Sequence, residues 1–133
     1  MPIETLPRFT REVLRSRPAD LFVFGDNMMR SGLGGQAKAC RGEPNAVGIP
    51  TKWAPSFVET AFFTDADLIT VKAEIDSELL KLANHINAGG TIVFPEAGIG
   101  TGLAQLPERA PRIYGYLTRA IERLHEIDSL LNT

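Results

Sequence analysis

The sequence has few of the residues that build disulfides, metal sites or membrane spans. It contains one cysteine, Cys40, and two histidines, so an internal disulfide is excluded and a bound metal is not expected. It has no apolar run long enough to span a bilayer and no apolar signal core near its N-terminus, so we expect a cytoplasmic protein that does not contact membranes. The net charge of −2 gives no reason to expect bulk binding to nucleic acid.

Glycine, in contrast, forms two clusters that each follow a short apolar run. Residues 21–24 lead into the segment SGLGG, and residues 91–94 lead into the segment EAGIGTGL. Short, continuously apolar runs predict strands that are buried on both faces. Glycines behind such a strand expose consecutive backbone N–H groups, and these can bind an anion such as phosphate. Two such turns predict a ligand with two phosphates, or with a phosphate and a sugar, although plain strand-to-helix turns remain an alternative.

The rest of the pattern predicts a single α/β domain over residues 1–133. A third apolar run covers residues 46–49, and apolar positions recur at helical spacing between residues 68 and 86 and again between 113 and 127. Shorter helices are predicted over residues 10–16 and 35–40. Strands that alternate with helices indicate a small, mostly parallel sheet between helix layers. Ligands of such sheets bind beyond the carboxyl ends of the strands, so both glycine turns should lie at one edge.

Several polar side chains are predicted to lie near the same edge. Asp26 and Asn27 end the first strand, where they could bond a ribose or a base, or could simply form a turn. Lys52 follows the second strand and is adjacent to Trp53 in an aromatic-rich segment. Burial among aromatic rings would lower the pKa of this lysine and make its amine nucleophilic, whereas the rings could also stack on a base or pack in the core. Glu96 could orient a ligand or remain solvated.

Three separated segments, taken in order, resemble macrodomains. Residues 27–37, NMMRSGLGGQA, resemble the first ligand loop of that family, in which an asparagine precedes a glycine cluster and a short helix. Residues 93–106, VFPEAGIGTGLAQL, resemble the second ligand loop. Residues 49–52, IPTK, are similar to a stretch found in the branch of terminal ADP-ribose protein glycohydrolases and related phage and bacterial macro-like proteins. The three segments comprise 29 of the 133 residues and lie in order between residues 27 and 106.

The resemblance implies a three-layer α/β/α sandwich that binds ADP-ribose or a related nucleotide and requires no cofactor. The first loop would hold the distal ribose and one phosphate, and the second loop would hold the diphosphate. The ligand contacts expected on this basis are Asp26, Asn27, Gly32, Gly34, Gly35, Gln36, Thr51, Trp53, Glu96, Gly98, Ile99, Gly100, Thr101, Gly102 and Leu103.

The resemblance also implies an activity, the removal of ADP-ribose from a modified macromolecule. Lys52 falls at the position of the nucleophilic lysine of that branch, and Asp26 is the one obvious nearby carboxylate for acid–base catalysis. The same branch carries an aspartate after the second glycine turn, where this chain has Ala104. This difference favours an alternative, a nucleotide-binding or sensing module without turnover. A second alternative is a phosphoribohydrolase-like nucleotide enzyme, which the second glycine loop resembles loosely. A structural or interaction protein is the remaining possibility.

Overall fold

The fold is built on a four-stranded parallel sheet. The computed structural model describes residues 3–131. Its strands are β1 (Ile3–Leu6), β2 (Leu21–Asn27), β3 (Ala46–Lys52) and β4 (Ile92–Pro95), in the spatial order β1-β4-β2-β3. All three neighbouring pairs are parallel. The predicted α/β class with a small parallel sheet is therefore confirmed. The prediction missed β1, because its sequence IETL contains two polar residues and no continuous apolar run.

The pairing of β2 with β3 contains one irregularity, and it lies at the carboxyl end. Phe22 pairs with Ala46, but the register shifts between Asp26 and Asn27, so that Asn27 pairs with Lys52. The shift leaves β3 with one residue more than β2 at this point. Such an extra residue bends a strand and redirects its side chains. The shift therefore brings the predicted site residues Asn27 and Lys52 side by side.

Five helices connect and follow the strands. They are α1 (Arg11–Ser16), α2 (Ala37–Cys40), α3 (Leu68–Asn87), α4 (Leu106–Arg109) and α5 (Pro111–Leu131), and two 3-10 turns lie at Glu59–Ala61 and Asp65–Asp67. Thr10 caps α1 by accepting a hydrogen bond from the Val13 N–H at 3.1 Å. The last stretch of helix is divided in two, because Pro111 has no N–H with which to continue α4.

Helices cover both faces of the sheet. Alternate side chains of a strand point to opposite faces. Val23, Ile49 and Ile92 are buried against α3 and α5. Phe22 and Phe24, in contrast, are buried in a second cluster with side chains of α1 and α2. The continuous apolar runs of β2 and β4 follow from this two-sided burial. Among residues 3–131, no helix combines the length and apolar character needed to cross a bilayer.

Candidate functional site

A cavity of about 510 Å³ opens at the carboxyl ends of β2 and β3. Both glycine-rich loops line it, as the sequence predicted, so the two loops do share one edge of the sheet. The first loop contributes residues 31–37 and the second contributes Gly100, Gly102, Leu103 and Ala104. The remaining lining residues come from the two strand ends, from α2 and from the segment after β3, and they are Gly25, Asp26, Asn27, Arg41, Thr51, Lys52, Pro55 and Phe57.

Gln36 fastens the two loops to each other. Its side-chain Oε1 accepts a hydrogen bond from the Gly25 N–H at 2.8 Å, and its Nε2 donates to the Gly98 carbonyl at 2.9 Å. Leu103 of the second loop lies close to the first loop. A Cβ added to Gly34 would be 3.3 Å from the Cδ1 of Leu103. Gln36 was predicted as a ligand contact. Its amide is engaged at both ends by the protein, so it holds the loops in position.

The glycines of the loops fall into two groups. Gly32 and Gly100 have φ angles of 91° and 81°, and a Cβ on either would lie 2.8 Å from a neighbouring side chain. The backbone itself therefore requires glycine at these two positions. Gly102 has no positive φ, and no atom lies within 4 Å of the position of its absent Cβ. The backbone does not require glycine at position 102. Because Gly102 has no side chain, its peptide group is left open towards the cavity.

Asp26 is buried and carries two arginine partners. Arg41 bonds its carboxylate at 2.6 and 2.9 Å, and Arg30 approaches it at 3.3 Å. Arg41 also donates to the backbone carbonyls of Ser31 and Gly32, at 3.0 and 3.1 Å. Charge-assisted bonds of this kind are short and strong, so the arginines occupy the oxygens of the Asp26 carboxylate. Asp26 therefore fixes the first loop through Arg41, and it is poorly placed for the acid–base role that the sequence suggested.

Sequence reasoning missed both arginines, although a signal was available. An aspartate at the end of a buried strand needs a cation or several donors, because an unpaired buried charge is very costly. Arg30 lies in the first loop and Arg41 directly follows α2. Both are therefore close along the chain to the edge where Asp26 was predicted.

Asn27 lines the cavity with an incompletely bonded side chain. Its Nδ2 donates to the Ser31 carbonyl at 2.8 Å, whereas its buried Oδ1 has no hydrogen-bond partner among residues 3–131. An unpaired buried acceptor costs about 1–3 kcal/mol. A small side-chain rotation would allow a hydroxyl or N–H group of a ligand to supply the missing donor.

Lys52 is 7% exposed and lies against the same cavity. Its Nζ donates to the Ser56 carbonyl at 2.7 Å and lies 4.3 Å from the ring centroid of Phe62 and 5.0 Å from that of Phe57. Burial, and to a lesser extent the charge of Arg109, lowers the pKa of Lys52. Lys52 thus meets the condition for a perturbed amine, which is burial among aromatic rings. Its neighbour Thr51 is also buried, and its hydroxyl donates to the Asp26 carbonyl at 3.0 Å.

Trp53 requires a correction. It was expected to contact the ligand, but it does not line the cavity. Its indole packs edge-on against Phe63 at 5.1 Å between ring centroids, and its Nε1 donates to the Asp67 carboxylate at 3.3 Å. Successive residues of an extended segment point in opposite directions, so Lys52 faces the cavity and Trp53 faces the core. Phe57 is the aromatic side chain of this segment that lines the cavity.

Part of the second loop also differs from the expectation. Ile99 is buried in the core, and Glu96 is exposed outside the cavity. The Thr101 hydroxyl is used within the loop, where it donates to the Ala97 carbonyl at 2.5 Å. Gly98 does not line the cavity, and its carbonyl accepts the bond from Gln36. Of the predicted contacts in this loop, those at Gly100, Gly102 and Leu103 lie at the cavity.

A second cavity of about 700 Å³ adjoins the first, over the carboxyl ends of β1 and β4. Gly35 and Gln36 line both cavities, so the Gln36 bridge forms the wall between them. Arg8, Arg11 and Lys38 are the charged residues that line the second cavity. Arg11 is bonded to Glu43 at 2.8 Å, whereas Arg8 and Lys38 are exposed. The described lining of this cavity is therefore basic, although the chain as a whole has a net charge of −2.

The chain belongs to a protein family whose function is unknown. The model of the family of unknown function DUF7831 matches residues 4–120, which include both glycine-rich loops and every residue that lines the two cavities. No curated protein and no solved structure matches the chain significantly. Function must therefore be argued from the cavities themselves.

Proposed function

We propose that the protein binds ADP-ribose, or a related nucleotide with two phosphates and a sugar, at the carboxyl edge of its sheet. The observation that carries this proposal is the convergence of both glycine-rich loops and the buried Lys52 on one cavity. Exposed backbone N–H groups of two loops suit two phosphate groups better than one. The helices on both faces of the sheet agree with a three-layer α/β/α sandwich of the macrodomain kind.

The two adjoining cavities support an elongated ligand. Their volumes, about 510 and 700 Å³, each fall within the range of ordinary ligand sites. Because Gly35 and Gln36 line both cavities, one ligand could extend over the first loop into both. Arg8 and Lys38 would then meet negative charge in the second cavity, and Asn27 would accept a hydrogen bond from a hydroxyl in the first. A ligand with sugars, phosphates and a base provides all of these groups.

Turnover is a second candidate function, and the burial of Lys52 favours it. An uncharged Lys52 amine could attack the anomeric carbon of a ribose, forming a C–N bond while the bond to the modified macromolecule breaks and the departing group takes the electron pair. Two observations favour binding without turnover. Ala104 lines the cavity at the position where the resembling branch carries an aspartate, so that carboxylate is missing here. The other nearby carboxylate, Asp26, is bonded to Arg41 and Arg30. A phosphoribohydrolase-like reaction has weaker support, because Glu96 lies outside the cavity.

Binding can be tested by calorimetry and thermal shift with ADP-ribose, ADP, AMP and ribose 5-phosphate. ADP-ribose at about 100 times its dissociation constant should stabilise the fold by roughly 2.7 kcal/mol. Gly34→Val should abolish this gain, because the new side chain would project against Leu103 and narrow the first loop. Gly115→Val is the matched control, since no atom lies within 4 Å of its absent Cβ in α5. Equal behaviour of the two variants, or no binding by the wild type, would refute the proposal.

Turnover is tested separately with a peptide that carries ADP-ribose on a carboxylate. Release of ADP-ribose, lost in Lys52→Ala and retained in the surface control Lys81→Ala, would establish the enzyme. Binding without release would establish the non-catalytic module. Cleavage of a free nucleoside monophosphate, with no effect of ADP-ribose, would favour the phosphoribohydrolase-like alternative.

A further inference from the structure

Arg109 shares an aromatic ring with Lys52. It ends α4, and its guanidinium carbon lies 3.8 Å from the centroid of the Phe62 ring, over which the Lys52 Nζ also lies, at 4.3 Å. Arg109 does not line either cavity. Two cations are therefore gathered around one ring, and the second of them has no direct access to a ligand in the cavity.

The guanidinium of Arg109 is held in place from several directions. Its Nη1 and Nη2 donate to the Glu59 carboxylate at 2.8 and 3.3 Å, and its Nε donates to the Gln105 side chain at 2.9 Å. A planar guanidinium that bonds a carboxylate through two nitrogens has a defined orientation. The short helix α4 is itself fixed to the second glycine loop, because the Leu106 N–H donates to the Gly100 carbonyl at 2.9 Å.

We propose that Arg109 is a positioning residue for Lys52: Glu59 and Gln105 hold its guanidinium at Phe62, so that a fixed second cation shares that ring with the lysine amine and favours the uncharged form that a nucleophile needs. This inference rests on the proposed role of Lys52 in the cavity. It assigns to Arg109 no contact with the ligand.

The other charged groups near Lys52 do not offset this effect. Asp26 lines the same cavity, but its carboxylate is bonded to Arg41 and Arg30. Glu59 is exposed and paired with Arg109, and the charge of Arg109 nevertheless adds to burial in lowering the pKa of Lys52. The segment from Trp53 to Val58, which covers the amine, has no charged side chain. Of the charged groups described around the lysine, Arg109 is thus the one that acts on its protonation.

The test is a direct titration of Lys52 by NMR, in the absence of any nucleotide. The chain has four lysines, so the Lys52 side-chain signals of isotope-labelled protein can be assigned with Lys52→Arg. Arg109→Gln removes the charge and should move the Lys52 titration to higher pH. Arg109→Lys keeps a cation at this position and should restore much of the wild-type titration. Arg112→Gln makes the same change in charge at an exposed site at the start of α5 and should leave Lys52 unaffected.

Glu59→Gln provides a second variant in case Arg109→Gln perturbs the fold. Glu59 is exposed, and glutamine at this position keeps an acceptor for the guanidinium while removing the negative charge paired with Arg109, so the Lys52 titration should here move to lower pH. A Lys52 titration that is unchanged in both variants would overturn the inference. Because the measurement uses no nucleotide, it is independent of the binding test. An Arg109-dependent titration in a protein that does not bind ADP-ribose would sustain this inference and refute the proposed function.

Discussion

The ion pair between Arg41 and Asp26 should be the polar interaction on which the first glycine loop depends most. Arg41→Gln keeps a polar side chain, although a shorter one, and removes the charge and with it two bonds to the Asp26 carboxylate and two to the carbonyls of Ser31 and Gly32. The side chains are 21% and 3% exposed, so water cannot replace these bonds fully. The change therefore leaves a buried carboxylate with less compensation.

The expected loss of stability is about 3 kcal/mol. Removing one partner of a buried ion pair costs about 3–5 kcal/mol. The lower end applies here, because Arg30 remains at 3.3 Å from the same carboxylate. In urea this loss lowers the unfolding midpoint by about 1–3 M, for the slopes that are usual in small proteins. Where the variant is still folded, its affinity for the proposed ligand ADP-ribose should also fall, since the bonds of Arg41 to the carbonyls of Ser31 and Gly32 are lost.

Urea unfolding followed by the fluorescence of Trp53, the single tryptophan, measures this loss. Arg15→Gln is the matched control. Arg15 also pairs with a carboxylate, that of Glu43 at 3.1 Å, but its side chain is 67% exposed. Glu43 is only 6% exposed but keeps Arg11 at 2.8 Å, and the bond to the exposed Arg15 contributes little, so the midpoint of this variant should stay close to that of the wild type. If Arg41→Gln shifts the midpoint no further than Arg15→Gln does, the reasoning about the first loop is wrong.

Two further predictions concern the second loop and the buried lysine. Gly100→Val should destabilise the protein by more than about 1 kcal/mol, because φ at this residue is 81° and the new Cβ would lie 2.8 Å from Leu106. Gly102→Val is the control, and in the same urea experiment its free energy of unfolding should stay within about 0.5 kcal/mol of the wild-type value. Lys52→Met should be more stable than the wild type at neutral pH, because the lysine pays for its burial while it is charged. Folding lowers the pKa of Lys52 from 10.5. Between the lowered pKa and 10.5, the unfolded chain therefore binds more protons than the folded protein does. In that pH range the stability of the wild type rises with pH. The advantage of Lys52→Met should therefore shrink as the pH rises to about 10, and an advantage that is constant in pH would contradict the shift.

Three of the four strands, β2, β3 and β4, and the position of the loops could be predicted because they depend on local sequence. The runs 21–24 and 91–94 are apolar throughout since helices cover both sides of β2 and β4, and this pattern is visible without any tertiary information. The common edge of the two glycine loops then follows from the parallel direction of the strands. The capping of α1 by Thr10 is likewise a short-range interaction, and a helix over residues 10–16 was predicted from sequence.

The details of the site depend on contacts that the sequence does not encode locally. From sequence, Gln36 resembles a ligand contact in a loop. Its amide instead joins Gly25 to Gly98, and Gly98 lies 62 residues beyond Gln36 along the chain. Trp53 and Phe57 belong to one aromatic segment without a regular period, so sequence alone could not decide which of them faces the cavity. The pairing of Asn27 with Lys52 depends on a register shift that no local pattern announces.

The acidic groups at the cavity limit the chemistry that Lys52 could perform. Asp26 is the one acidic residue in the described lining, and two arginines hold its carboxylate. A general acid that could protonate a departing group is therefore missing from this lining. A carboxylate leaves readily without protonation, because the pKa of its acid is only about 4, whereas an alcohol or an amide needs a proton donor. If Lys52 does attack a ribose, the geometry thus restricts turnover to ADP-ribose that is attached to a carboxylate. Other linkages would be bound without being cleaved.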